Sequence, residues 1–342
     1  MRFIVLGAGV IGCYVGGRLA AAGQAVTLVG RPRLTEAMAR DGLTVSDLDG
    51  FKTHLVPQQL HLVNSLAAGC KPEPLQAARE ASSPTVVLLC VKGGATASAA
   101  RELAACCPAG TVVLSLQNGV DNVARIGAAA PGLIALPGMV PYNVVMPGPA
   151  HVHRGTTGTL CLARHPVTEA MLPLLTAAGL PTALSDDMRA VQWGKLLLNL
   201  NNPINALSEL PLREQLLQRD YRRVLAALQT EALAALDAAG IVPAQVAIAP
   251  PRVLPHLLRL PNWLFTRVAA RLLRIDANAR SSMWDDLQQG RATEIDDLCG
   301  AVVRLATQHG VMAPRNAAIA QLVTTHRPGQ SWTGAALRQA LR

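Results

Sequence analysis

Aromatic side chains are scarce: tryptophan, tyrosine and phenylalanine together make 3% of the 342 residues, too few for the stacking platforms on which bases are bound. The formal net charge of +9 is spread thinly, so nucleic acid is excluded as the expected partner. Long apolar runs are also missing. Residues 126–150 come nearest to membrane-spanning length but are interrupted by Pro131, Pro137, Pro141 and Pro147, which predicts a soluble chain without membrane association. The seven cysteines, at 13, 70, 90, 106, 107, 161 and 299, have neither metal-ligand nor paired-disulfide spacing. Reduced thiols, no bound metal and a cytoplasmic location are expected. The opening Met1-Arg2 and its apolar sequel could pass for a signal peptide, but cleavage would destroy the strand they form. Lysine is the rarest basic residue, with four (52, 71, 92 and 195) against 27 arginines. Arginine cannot donate a proton at neutral pH, so the few lysines mark where such a donor would be needed.

Half of the residues are hydrophobic, and the length suits about two domains with a sizeable core. The first thirty-one residues carry the strongest pattern. An apolar strand, Phe3 to Leu6, runs into Gly7-Ala8-Gly9-Val10-Ile11-Gly12, a helix to about Ala22, and a second strand from Ala25 to Val29. Gly7 allows the tight turn, Gly9 lets backbone approach a pyrophosphate, and Gly12 lets helix and strand pack closely. Amides at the new helix N-terminus face an anion. No acid follows the second strand at the place where NAD-preferring sites hold the ribose 2′-hydroxyl. Gly30-Arg31-Pro32-Arg33 stands there instead, and the planar fork of Arg31 suits the 2′-phosphate of NADP(H).

The spacing predicts a helix over 34–40, alternating stretches at Leu43–Val45 and Thr53–Val63, and a doubly covered strand over Thr85–Val91 ending at Lys92-Gly93-Gly94. A helix over Thr96–Cys106 and a strand over Thr111–Leu116 follow, the latter stopping at Gln117-Asn118-Gly119. Alternating strands and helices predict an α/β fold, an N-terminal Rossmann-type doubly wound sheet. Ligands bind beyond the carboxyl ends of such strands, which makes Lys92 and Asn118 candidates by position. Residues 132–162 read as further strands and turns. From about Asp187 strand signals disappear, and helices are predicted at 188–201, 212–239, 262–273, 278–289, 294–309 and 314–326. The domains expected are 1–186 for the cofactor, an all-helical substrate and catalytic domain over 187–328, and a loose tail over 329–342.

Over the stretch Val191–Asn202, at 100° per residue, Lys195, Asn199 and Asn202 fall within about 60° of one another on an otherwise leucine-rich surface. Such a stripe needs partners or a wet cleft. Further on stand Ser281-Ser282-Met283 and Thr293-Glu294-Ile295-Asp296, where a hydroxyl could bind a carboxylate and a Glu could orient a hydroxyl. Arg267, Arg271 and Arg274 share one predicted helical face beside Trp263 and Phe265, a pattern usual for a solvated helix.

Together these motifs resemble the ketopantoate reductase (2-dehydropantoate 2-reductase) family. The Lys195–Asn202 helix combined with S-S-M and T-E-I-D carries the resemblance more specifically than the glycine turn. The resemblance implies NADPH-dependent reduction of ketopantoate to pantoate, on the way to pantothenate and coenzyme A. It implies Lys195 as proton donor, Asn118 against both nicotinamide and substrate, and Asn199, Asn202 and Ser282 on the substrate. Glu294 would meet the cofactor or a substrate hydroxyl, and Lys92 would lie near the cofactor. The family's second helix asparagine, eight residues past the lysine, falls on Pro203, with Asn201 and Asn202 just before it. The partners expected are a small 2-oxo acid and, for assembly, a second copy in a homodimer. The competing readings are an NADPH-dependent reductase of another 2-oxo acid and a non-catalytic NADP-sensing protein.

Overall fold

The computed structural model describes residues 1–70, 84–148, 150–247, 249–269, 279–327 and 329–342. The chain forms two compact units, one of Met1–Gln117 with Asp121–Met188, the other of Asn118–Val120 with Arg189–Arg342.

The first unit is built on β1 (Arg2–Leu6), β2 (Ala25–Val29), β3 (Leu43–Asp47), β4 (Lys52–Leu55), β5 (His61–Val63) and β6 (Thr85–Leu89). It continues with β7 (Val112–Ser115), β8 (Ile134–Met139), β9 (Val144–Gly148), β10 (His151–Arg154), β11 (Leu160–Ala163) and β12 (Thr182–Ser185). One sheet has the order β12-β11-β8-β7-β6-β1-β2-β5, and a second has β4-β3-β10-β9. From β8 to β5 every neighbouring pair is parallel, while β11 runs antiparallel to β8. Alternate residues of the central strands enter different cores. Phe3, Val5, Val86 and Leu88 join one apolar cluster; Ile4, Leu6, Val87 and Leu89 join another. Coverage of both faces explains why these strands are continuously apolar.

The Thr53–Val63 stretch serves two sheets. Lys52–Leu55 pairs antiparallel with β3, a 3-10 turn at Pro57–Gln59 intervenes, and His61–Val63 lies parallel to β2. The Pro166–Ala177 helix and β12 were not foreseen in the sequence.

Polar side chains tie the Val10–Ala21 helix to the smaller sheet. Arg18, 6% exposed, donates to the carbonyls of Ala178 (2.7 Å) and Gly179 (2.9 Å) and to Asp47 Oδ2 (2.9 Å). The same Asp47 oxygen lies 3.2 Å from Arg154, whose Nε donates to Tyr14 Oη at 2.9 Å. Burial pushes the Asp47 carboxyl up, but amide bonds from Phe51 and Asp49 and the Arg154 guanidinium outweigh it and hold the group below its usual value.

Helices make up the second unit, around the Arg219–Ala238 helix. Two departures from the sequence reading have clear causes. The helix expected over 188–201 is two helices, Met188–Asn199 and Asn201–Ser208. Pro203 has no amide hydrogen, and its ring collides with the carbonyl four residues back, at Asn199. The residues expected as a loose tail instead carry the Gly334–Ala340 helix, capped by Thr333 and anchored by Leu337 (0% exposed) and Leu341 (5%) in the core. Carbonyls at the C-terminal ends of other helices are met from a distance. Arg222, fully buried, donates to the carbonyls of Leu216, Leu217, Leu258 and Leu260 and to Asn262, with its guanidinium 4.1 Å from the Phe265 ring. Phe265 therefore faces the core while Trp263 is exposed. The helix there spans Asn262–Val268; residues 270–273 of its expected extension, Arg271 among them, lie outside the described residues, as do Arg274, Lys71, residue 278 and Pro328.

Among the described residues no helix is long and apolar enough to cross a membrane, and no group of three or more His, Cys, Asp or Glu could hold a metal ion.

Candidate functional site

In the first unit the glycine turn leaves the carboxyl end of β1. Gly7 has φ +106°, and a Cβ there would meet the Val91 nitrogen at 2.7 Å and the Cys90 carbonyl carbon at 2.8 Å. A Cβ at Gly12 would lie 2.2 Å from the Gly7 carbonyl oxygen and 2.9 Å from Val5 Cγ1. Gly9 differs: it is exposed, and nothing lies within 4 Å of a Cβ built on it. It caps the Val10–Ala21 helix without a side-chain bond, and the first turn contains no acid. Ala8 is buried behind it, with Val10 exposed and Ile11 partly so. A helix start with amides uncapped by side chains, and open space above Gly9, fits a bound pyrophosphate.

The neighbouring strand ends hold the other first-unit candidates. Arg31 is exposed at the cap of the Pro32–Asp41 helix, just beyond β2, its carbonyl accepting from the Leu34 amide at 3.0 Å. Lys92 is exposed beyond β6, where its carbonyl accepts from the Ala95 amide at 2.8 Å. A polar chain that the sequence reading missed fixes this end of the sheet. Ser115 donates to Gln117 Oε1 (2.9 Å), Gln117 Nε2 donates to the Val91 carbonyl and Thr96 Oγ1 (both 2.8 Å), and Thr96 donates to Asn122 Oδ1 (3.0 Å). All four side chains are buried. Polar residues in an apolar setting were a signal, but their pairing across separate elements was not readable.

In the second unit Lys195 and Asn199 lie four residues apart, on one face of the Met188–Asn199 helix. Lys195 is partly buried, and removal from water lowers its ammonium to about 8. The helix can lie close to its neighbour because residue 194 is glycine: a Cβ there would meet the Ala244 carbonyl oxygen at 2.2 Å. Asn199 Nδ2 makes a long contact, 3.4 Å, to Asn118 Oδ1, and Asn118 Nδ2 donates to Glu294 Oε2 at 2.9 Å. Lysine, two amides and a carboxylate from three separate sequence motifs thus belong to one unit. Glu294 directly precedes a helix that opens as a π-helical segment, Asp296–Gly300, before the α-helical Ala301–Gln308. Such wide turns are frequent at functional sites.

Asn201 and Asn202 part company after the helix break. Asn201 is buried, and its amide exchanges bonds with Gln215 at 3.3 and 2.8 Å. Asn202 is partly buried, and its carbonyl accepts from Ser281 Oγ at 3.3 Å. Ser281 is buried; it also caps the Ser282–Gln288 helix through the Trp284 amide (3.2 Å), and its own amide donates to Asn205 Oδ1 (2.8 Å). Ser282 is exposed at the first position of that helix.

Comparison with known proteins gives a consistent result. The family model described as "Ketopantoate reductase PanE/ApbA" matches residues 3–166, and that for its C-terminal part matches residues 187–327. A 2-dehydropantoate 2-reductase of Halobacterium salinarum is 30% identical over 332 residues, covering 94% of this chain and 98% of the relative. A crystal structure of a PanE/ApbA family ketopantoate reductase from Ralstonia eutropha superposes with a TM-score of 0.78 at 26% identity, covering 100% of both chains. A ternary structure of D-mandelate dehydrogenase with NADH and anilino(oxo)acetate shares the fold, with a TM-score of 0.75 at 19% identity over 99% of each chain.

Proposed function

Because the chain belongs to the ketopantoate reductase PanE/ApbA family, we propose that it reduces 2-dehydropantoate to pantoate with NADPH, with Lys195 as proton donor. The observation that carries this reading is the gathering of Lys195, Asn199, Asn118 and Glu294 in one unit, with an ammonium lowered to about 8. A donor with a pKa near working pH combines the right protonation state with the greatest drive for transfer.

NADPH, when bound, would supply the hydride for the ketone carbon. The Gly7–Gly12 turn would hold its pyrophosphate with the amides of Val10, Ile11 and Gly12, with Ala8 behind them. Arg31 would pair the 2′-phosphate, and Lys92 would add positive charge beside the cofactor. Lys195 gives its proton to the ketone oxygen, and its charge favours the alkoxide as it develops. Asn118, which would touch both nicotinamide and substrate, is oriented by its bond to Glu294, whose carboxylate would also meet the cofactor or a substrate hydroxyl. Asn199, Asn202 and Ser282 hold the 2-oxo acid.

The direct test follows NADPH absorbance with ketopantoate and with 2-oxo acids bearing bulkier side groups. Turnover is expected to be fastest with ketopantoate. Faster turnover with another 2-oxo acid would reassign the substrate, and no turnover with any would leave only a cofactor-binding protein.

Two predictions probe cofactor binding. Arg31→Ala should raise the NADPH Kd roughly 10–100-fold, the worth of one or two charge-assisted bonds, while NADH binding barely changes. Equal losses for both cofactors in fluorescence titration would remove Arg31 from 2′-phosphate recognition. Gly12→Ala forces a methyl against the Gly7 carbonyl, 2.2 Å from the new carbon, so the turn must open. Its NADPH affinity is expected to fall at least about tenfold, the consequence of losing a close backbone approach. Wild-type affinity in the same titration would refute the tight packing of that turn.

A further inference from the structure

Three thiols at one edge of the first unit play no part in this chemistry. Cys70 ends the Leu66–Cys70 helix, Cys106 ends the Thr96–Cys106 helix and Cys107 follows it. The Sγ atoms of Cys70 and Cys107 lie 3.4 Å apart, although 37 positions separate the residues. All three cysteines are partly buried, so reagents can reach them. We propose that Cys70 and Cys107 are a thiol modification site that closes reversibly into a disulfide, taking a low-molecular-weight disulfide of the glutathione class as oxidant.

The two helices that carry the sulfurs pack on the same sheet face. Leu66, Ala99, Ala100 and Leu103 share one apolar cluster, with Cys70 and Cys107 at its margin. Sulfurs already in contact need only a small approach to reach bonding distance, about 2.05 Å. Arg2, whose side chain donates to the Gly69 carbonyl at 2.6 Å, places a cation nearby. The contact between the two sulfurs favours a thiolate on one at the expense of the other, burial raises both thiols, and Arg2 lowers both. Either sulfur of the pair can therefore lead the attack.

As thiolate, one of the pair attacks one sulfur of the small disulfide, forming a mixed disulfide and expelling one thiolate, which takes up a proton. The other cysteine sulfur then loses its proton and attacks the first, expelling the second small thiol. Two cysteine S–H bonds become one S–S bond, and the S–S bond of the oxidant becomes two S–H bonds, a balanced transfer of two electrons and two protons.

The experiment treats the reduced full-length protein with oxidised glutathione over a range of ratios, then maps peptides by mass spectrometry without reduction. A Cys70–Cys107 linked peptide is expected, reversed by dithiothreitol, retained in Cys106→Ser and absent in both Cys70→Ser and Cys107→Ser. The bridged wild-type protein should melt roughly 4–10 °C higher, because closing a loop of this length restricts the unfolded chain. Glutathione adducts alone, a bridge that uses Cys106, or seven persistent thiols would each overturn the proposal. The mapping is made without substrate or cofactor, so its outcome does not depend on the proposed reaction.

Discussion

Lys195→Ala is expected to lower the rate of ketone reduction about 10³–10⁴-fold, losing general acid catalysis and the charge that stabilises the developing oxyanion. NADPH affinity should be nearly unchanged. Single turnovers are the right measure, since slow product release can hide the chemical step in kcat. Lys195→Arg should recover little, because a guanidinium keeps the charge but does not yield its proton. The pH profile carries the same information with a defined sign. Reduction needs the ammonium, so its rate should fall as pH rises through about 8, and oxidation of the hydroxy acid, which needs the free amine, should rise over that interval. A wild-type rate in Lys195→Ala would remove the residue from the mechanism.

Replacing Asp47 should have the largest effect on stability. Asp47→Ala leaves the buried Arg18 and Arg154 without their shared carboxylate, and breaking a buried ion pair on one side typically costs about 3–5 kcal/mol. The amides of Phe51 and Asp49 also lose their acceptor. Chemical denaturation at neutral pH measures the loss; a change below about 1 kcal/mol would show that the smaller sheet does not depend on this network. The pH dependence follows from the lowered carboxyl. The unfolded chain binds the proton first as pH falls, so the contribution is complete above the unfolded pKa and is lost as pH drops through the folded one. The gap between wild-type and Asp47→Ala should therefore narrow in acid.

What could be read from sequence was local. The glycine spacing and the apolar runs gave β1, β2, β6, β7 and the connecting helices, because each pattern is complete within a few residues. The second sheet was not legible: β10 pairs with β3 from the far side of the unit's sequence, and nothing in either strand names its partner. Arg18 and Arg154 looked like any arginines until Asp47 brought them together. The break after Asn199 could have been foreseen from Pro203; continuing the 100° rotation through it placed Asn202 on a stripe that the chain interrupts. Thr333 before Gly334 was a legible cap, overshadowed by the proline at 328. Among the candidate residues, Lys195, Asn199, Asn118 and Glu294 do belong to one unit, whereas the commitment of Asn201 to Gln215 needed coordinates.

The three residues Asn118–Val120 belong with the helical half, although their neighbours in sequence on both sides belong with the other. A chimera made by joining two relatives at residue 188 would transplant Lys195, Asn199 and Glu294 from one parent and inherit Asn118 from the other. Such hybrids should work only when the donor's 118–120 segment travels with the graft.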